Sequence, residues 1–144
     1  MAYFPITTLL CFLILLPFEG NALESEIDID LYVNQADDNQ VVVIDRSSQP
    51  GSFGTTAITD WRLLNPGASI IGHMRGSHTE VSLTKLIWHF TASLMFEEGS
   101  GFNGSTIEVV GTIPGTQWCI VGGTGEFTMA RGIVQTRMIK SQIP

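Results

Sequence analysis

From Lys85 to Phe96 the chain alternates. Leu86, Trp88, Phe90, Ala92, Leu94 and Phe96 fall on one parity, and Lys85, Ile87, His89, Thr91, Ser93 and Met95 on the other. Successive strand side chains point to opposite faces of a sheet, so this spacing lays six apolar residues on one face. A helix over the same residues would scatter them around its surface. The aromatic and β-branched content also favours a strand. Residues 83–96 are therefore expected to form the longest strand.

The same period recurs elsewhere. Ile27, Ile29, Leu31 and Val33 oppose Asp28, Asp30 and Tyr32, and short apolar runs at 41–44, 53–63, 69–74, 105–113, 118–121 and 127–139 complete about eight strands. Asn65-Pro66-Gly67 and Pro114-Gly115 are turn signals, because Pro presets φ and Gly accepts positive φ. Gly76-Ser77 reads as a break and 122–125 as a tight glycine turn. Many short strands at close spacing predict an all-β sandwich or barrel. An antiparallel barrel gives long strands neighbours on both sides and, at about eight strands, can hold one small ligand.

Charge narrows the partners. Hydrophobic residues make up 44% and charged residues 15%, which supports a packed core, and the formal charge is −7 with no basic stripe. Phosphate contacts need clustered Lys and Arg, so no nucleic-acid partner is expected. Residues 6–16 are almost continuously apolar but far shorter than the roughly 20 residues of a spanning helix. Gly20-Asn21-Ala22 offers small residues for cleavage, so residues 1–22 are expected to be a signal peptide and 23–144 the domain. That implies secretion, with no membrane association after cleavage. Cys119 is then the one cysteine left, expected as a buried core thiol.

Several chemistries are weakly supported. Asp28 and Asp30 would lie roughly 6.5 Å apart on one strand face, a solvent-facing stripe more readily than a glycosidase pair. His73, His78 and His89 lack metal-ligand spacing, and no metal is expected; His89, on the polar side of its strand, could line a cavity. The 122–125 run is followed by no Lys-Ser or Lys-Thr and has Thr128 where a dinucleotide fingerprint needs its third glycine. No Gly-x-Ser-x-Gly elbow is present. Asn103-Gly104-Ser105 is an N-glycosylation sequon in a loop before a strand, so Asn103 is the expected acceptor.

Longer motifs carry a resemblance. Phe102-Asn103-Gly104-Ser105-Thr106-Ile107 followed by Val110-Gly111, and Ile120-Val121-Gly122-Gly123-Thr124-Gly125-Glu126-Phe127 followed by Met129-Ala130-Arg131-Gly132, are similar to two signature segments of the plant dirigent family. Phe53-Gly54-Thr55 and Ile70-Ile71-Gly72 with Gly76 resemble two earlier segments, in the same order. The resemblance implies an eight-stranded antiparallel β-barrel in the plant apoplast that forms homo-oligomers, a homodimer in the simplest case. It also implies binding of phenoxy radicals of the monolignol type, made by a separate laccase or peroxidase, and their stereoselective coupling in lignan and phenylpropanoid biosynthesis. No cofactor and no oxidative activity of its own are implied.

The chain departs from the family where lignan-forming members carry polar groups. Their acidic and Arg positions correspond to Gln35, following Asn34, to Thr112 and to Thr116, so no catalytic residue is transferred. The family also continues into a strand that closes the barrel, whereas this sequence stops at Pro144, so either an open edge or a truncated form of the domain is expected. These departures raise a second reading, a non-catalytic, defence-related binding module of the type joined to jacalin-like lectins in grasses.

Overall fold

The computed structural model describes residues 26–35 and 39–137; the expected signal peptide lies outside them. Eight strands make up one antiparallel sheet: β1 (Tyr32–Asn34), β2 (Gln40–Ile44), β3 (Thr56–Leu64), β4 (Ile70–Glu80), β5 (Trp88–Phe96), β6 (Thr106–Ile113), β7 (Gln117–Thr124) and β8 (Gly132–Gln135). From β3 to β8 each strand pairs with the next, while β1 and β2 pair end to end with the outer edge of β3. The sheet curls into a half-barrel. Among the described residues β8 pairs with β7 alone, so the free edges are those of β1 and β2 at one side and β8 at the other.

Register sorts the side chains into two faces. Across β3 to β6, Trp61, Met74, Leu94 and Ile107 stand in one row, Thr59, Gly76, Ala92 and Val109 in the next, and Ala57, His78, Phe90 and Gly111 in a third. This inner face holds the core: Leu63, Met74 and Phe90 are completely buried, each worth about 1.5–3 kcal/mol by removal from water. The outer face carries Asp60, His73, Arg75, Ser93 and Glu108.

The alternation of β5 from Trp88 to Phe96 is as expected, but the strand begins later. Residues 83–87 form a loop that exposes Leu83 and Leu86, and β4 is longer. There is no break at Gly76-Ser77, because β4 runs straight through. Gly76 is needed there for closeness: a Cβ would sit 2.1 Å from the Thr91 carbonyl oxygen and 2.6 Å from Ala92 Cβ. Of the first expected strand only Tyr32 and Val33 join the ladder, together with Asn34 beyond it, although Ile29, Leu31 and Val33 pack on the core as their spacing predicts.

At the other end, 127–139 is not one strand. Gly125–Phe127 is a single 3-10 turn, and β8 starts at Gly132. The expected tight turn at 122–125 is displaced as well, since Gly122 to Thr124 belong to β7. A side chain on Gly122 would meet nothing within 4 Å. The constraint falls instead on Gly123, whose Cβ would lie 2.5 Å from two carbonyl oxygens, and on Gly125 at φ +60°. Cys119 is exposed, not buried, because its neighbour Trp118 takes the inward position of β7. No helix among the described residues is long and apolar enough to cross a membrane.

Candidate functional site

The inner face carries two aromatic clusters at opposite ends of β5. At one end Phe96, Phe102 and Phe127 enclose one another, with ring centroids 5.6, 5.2 and 4.9 Å apart. The 3-10 turn delivers Phe127 into this cluster, and the Glu126 N–H donates to Ser105 Oγ at 3.1 Å. Everything Phe rings need is contact, and they have it. Met129, Ala130 and Arg131, by contrast, sit at or near the surface.

The other end is different in kind. Trp61 lies 4.9 Å from His78, His78 6.1 Å from Phe90, and Phe90 4.4 Å from Trp118 in an edge-on contact. Gly111 makes room for this stack, since a Cβ there would come within 2.4 Å of the Trp118 ring. Glu80 follows His78 on the same face of β4 and is wholly buried. Its Oε1 accepts N–H bonds from Ser82 (3.1 Å) and Ile87 (2.9 Å), anchoring both ends of the 82–87 loop.

What marks this end is unspent hydrogen-bonding capacity. Trp61 Nε1, Trp118 Nε1, both ring nitrogens of His78 and Oε2 of Glu80 are buried without a partner among the described residues. A buried polar group left unpaired costs about 1–3 kcal/mol. Five such atoms on contiguous side chains are therefore a concentrated expense that packing alone does not explain. Burial also holds the His78 imidazole below its ordinary pKa, favouring the neutral ring. The set offers two indole donors, an imidazole that donates and accepts, and a carboxylate acceptor. It is equipped to hold an aromatic molecule bearing oxygen functions.

The outer face is conventional by comparison. Asp60 binds His73 Nδ1 and, at 3.0 Å, Arg75 Nε. Burial pushes its carboxyl up, but the hydrogen bonds and charges of His73 and Arg75 outweigh this and leave it below the usual carboxylate value. Ser93 donates to Glu108 Oε2 at 2.6 Å. Two open clefts of about 370 and 390 Å³ lie here, one between Arg75, Ser93 and Glu108 and the other beside Asp60 and His73. Their polar groups are solvated and largely paired.

The residues singled out in the sequence scatter over this frame. His78 faces inward, whereas His73 and the exposed His89 face outward, so His89 lines no inner cavity. Asp28 and Asp30 are exposed. Gln35, Thr112 and Thr116 are all exposed and none joins the buried aromatic row. Asn103 is exposed in the loop before β6. The motif residues Gly123 and Gly125 shape the Phe127 turn. Trp61, His78, Glu80 and Trp118 were not anticipated as a group. The available signal was phase: Met74, Gly76, His78 and Glu80 share one parity, which places a histidine and a glutamate on the apolar face once Gly76 is read as part of the strand.

A curled antiparallel sheet with a buried, aromatic, polar-tipped inner face defines a small half-barrel of the β-barrel type. Comparison with known proteins gives the family. A family model described as dirigent-like protein matches residues 29–143, and the chain belongs to that family. It is 36% identical over 93 residues to pterocarpan synthase 1 of Glycine max, covering 59% of this chain and 50% of that protein. It is 31% identical over 93 residues to pterocarpan synthase 1 of Glycyrrhiza echinata, covering 59% and 49%. The chain thus spans about half the length of these curated relatives. Among solved structures, the pterocarpan synthase dirigent protein PsPTS1 superposes with a TM-score of 0.60 at 24% identity, over 76% of this chain and 81% of that one. The pterocarpan synthase dirigent protein GePTS1 gives 0.59 at 26%, over 70% and 68%.

Proposed function

We propose that this dirigent-family chain encloses an aromatic, oxygen-bearing guest against Trp61, His78, Phe90 and Trp118 and thereby fixes which face of that guest reacts. The guest is a phenolic intermediate, either a monolignol-type radical supplied by a separate laccase or peroxidase or, by analogy with the names of the curated relatives, a pterocarpan precursor. The observation that carries this reading is the row of unpaired polar atoms on a buried aromatic stack. Radical coupling needs little catalysis beyond orientation, and a preference of about 1.4 kcal/mol between two poses gives tenfold selectivity.

Secretion to the apoplast belongs to the same proposal, supported by the apolar run at 6–16 and the exposed sequon at Asn103. Homo-oligomer formation is supported by β2, whose Val41 to Ile44 are all exposed, 47–63%, on an edge strand. Oxidation of coniferyl alcohol by an external laccase, with and without the purified protein, followed by chiral separation, tests the function. An enantiomeric excess that grows with protein concentration is expected; racemic products from coniferyl alcohol and from other phenolics would reject it.

The non-catalytic binding module stays as the second reading because Gln35, Thr112 and Thr116 stand at the surface, outside the aromatic row. Calorimetric titration separates the two: saturable heat with sugars and none with phenolics favours the module.

A further inference from the structure

The Met129-Ala130-Arg131-Gly132 segment takes no part in the aromatic row, and its first residue is at odds with its own backbone. Met129 has φ +64°, in the left-handed region that glycine enters freely and a side chain with a Cβ resists. The turn around it is tightly bonded. Thr128 donates to the Gly125 carbonyl from its N–H at 3.1 Å and from its hydroxyl at 2.7 Å. The Ala130 N–H donates to the Phe127 carbonyl at 2.9 Å, and Phe127 is itself held in its cluster.

Packing does not explain the choice of residue. Met129 is 87% exposed, more than any other large hydrophobic residue described. Glycine or asparagine would suit this backbone better, and burial gives methionine no compensating advantage. What methionine brings is a thioether, polarisable and open to oxidants.

The other thioethers among the described residues are placed differently. Met74 is completely buried in the core. Met95 is partly buried on the outer face, and Arg75 Nη1 donates to its sulfur at 3.5 Å, engaging electron density that an oxidant would attack.

From this placement we propose that Met129 is an oxidation site, which takes oxygen from a peroxide and turns an apolar projection on the β7–β8 connection into a polar one. The inference goes beyond the guest-binding reading and stands without it, although an external peroxidase would consume the same oxidant. In the step, the sulfur lone pair attacks one oxygen of hydrogen peroxide and the O–O bond breaks. The proton on the transferred oxygen passes to the departing one, and water leaves. Sulfur is oxidised by two electrons and the peroxide is reduced by two. The product is a sulfoxide, which reductases return to the thioether, so the change is reversible. Its new oxygen meets solvent, and the core is untouched.

The test treats the intact protein, with the exposed Cys119 thiol capped by N-ethylmaleimide, with dilute hydrogen peroxide and follows each methionine by peptide mass spectrometry. Met129 is expected to gain oxygen at least about tenfold faster than Met95, and Met74 to stay unmodified while the protein is folded. Protein oxidised at Met129 is expected to keep its thermal midpoint within about 2 °C and to elute earlier from a hydrophobic-interaction column. Met129→Leu, which keeps the apolar bulk without the sulfur, is expected to lose most of that elution shift. Should the variant fail to fold, recovery of the original elution after treating the oxidised wild type with methionine sulfoxide reductases makes the same point. Comparable rates at Met129 and Met95 would overturn the assignment. So would a fall in thermal midpoint on oxidation of Met129 alone, or an undiminished elution shift in Met129→Leu.

Discussion

The two ends of β5 solve different problems with similar materials. Around Phe96, three phenylalanines close on one another, and Gly123 and Gly125, just before Phe127, sit where no side chain fits. Around Phe90, two tryptophans, a histidine and a glutamate replace hydrocarbon with polar-tipped groups, and five of their atoms go unpaired. The ends are six residues apart on one strand, roughly 20 Å. Both ends are buried, but only the tryptophan end carries unpaired polar atoms, at some cost in stability. The most recognisable stretch of the sequence, from Ile120 to Gly132, belongs to the first. Signature motifs here mark what makes the fold, and the candidate chemistry lies elsewhere.

If that division is right, the two ends must respond to mutation with opposite signs. The largest effect is expected from Phe127→Ala, which should cost about 3–5 kcal/mol by transfer and cavity terms, read as a lower urea midpoint. A loss below about 1 kcal/mol would show that the 3-10 turn does not anchor this end. Next, Gly123→Ala should cost about 1–3 kcal/mol, since its methyl would press on the carbonyls of Thr106 and Phe127. Gly122→Ala, with open space around it, should stay within about 0.5 kcal/mol. Equal losses at the two glycines would contradict the shape assigned to this turn.

At the tryptophan end, His78→Phe should leave stability unchanged or raise it by up to about 1–3 kcal/mol, because an apolar ring replaces two unpaired nitrogens. Binding of coniferyl alcohol should weaken in the same variant. A destabilised His78→Phe would mean the imidazole is serving the core after all.

The smallest effect concerns pH. Burial depresses the His78 pKa, so the folded state binds a proton less readily than the unfolded chain. The stability contributed by the neutral ring is complete above the unfolded value of about 6.5 and is lost as pH falls through it toward the folded value. Unfolding midpoints from pH 7.5 to 5 should decline more steeply for the wild type than for His78→Phe. Parallel curves would show that the ring is not held neutral by burial.

Much of the sheet was legible, because alternation is a strong signal wherever one face is sealed: Trp88 to Phe96 and Thr106 to Ile113 read correctly from parity alone. Glycine misled in both directions. Gly76 looked like an interruption and is a close-approach position inside β4, while Gly122 looked conformationally special and is ordinary strand. Nothing in one sequence distinguishes a glycine that turns the chain from one that admits a neighbour. Cys119 shows a different limit: the general habit of free cysteines predicts its burial, whereas its place between the inward-facing Trp118 and Ile120 turns it outward. The tryptophan end was hidden for a related reason: Trp61, His78, Phe90 and Trp118 come from four strands, and only the register brings them together.

The most direct measurement is a two-dimensional nitrogen–proton spectrum of the labelled protein titrated with coniferyl alcohol. The account predicts that the indole Nε1–H signals of Trp61 and Trp118 move to saturation while the backbone amides of Glu126 and Thr128, beside Phe127, stay in place. Shifts confined to the Phe127 turn or to the outer-face residues Arg75 and Ser93, with both indole signals unmoved, would contradict it.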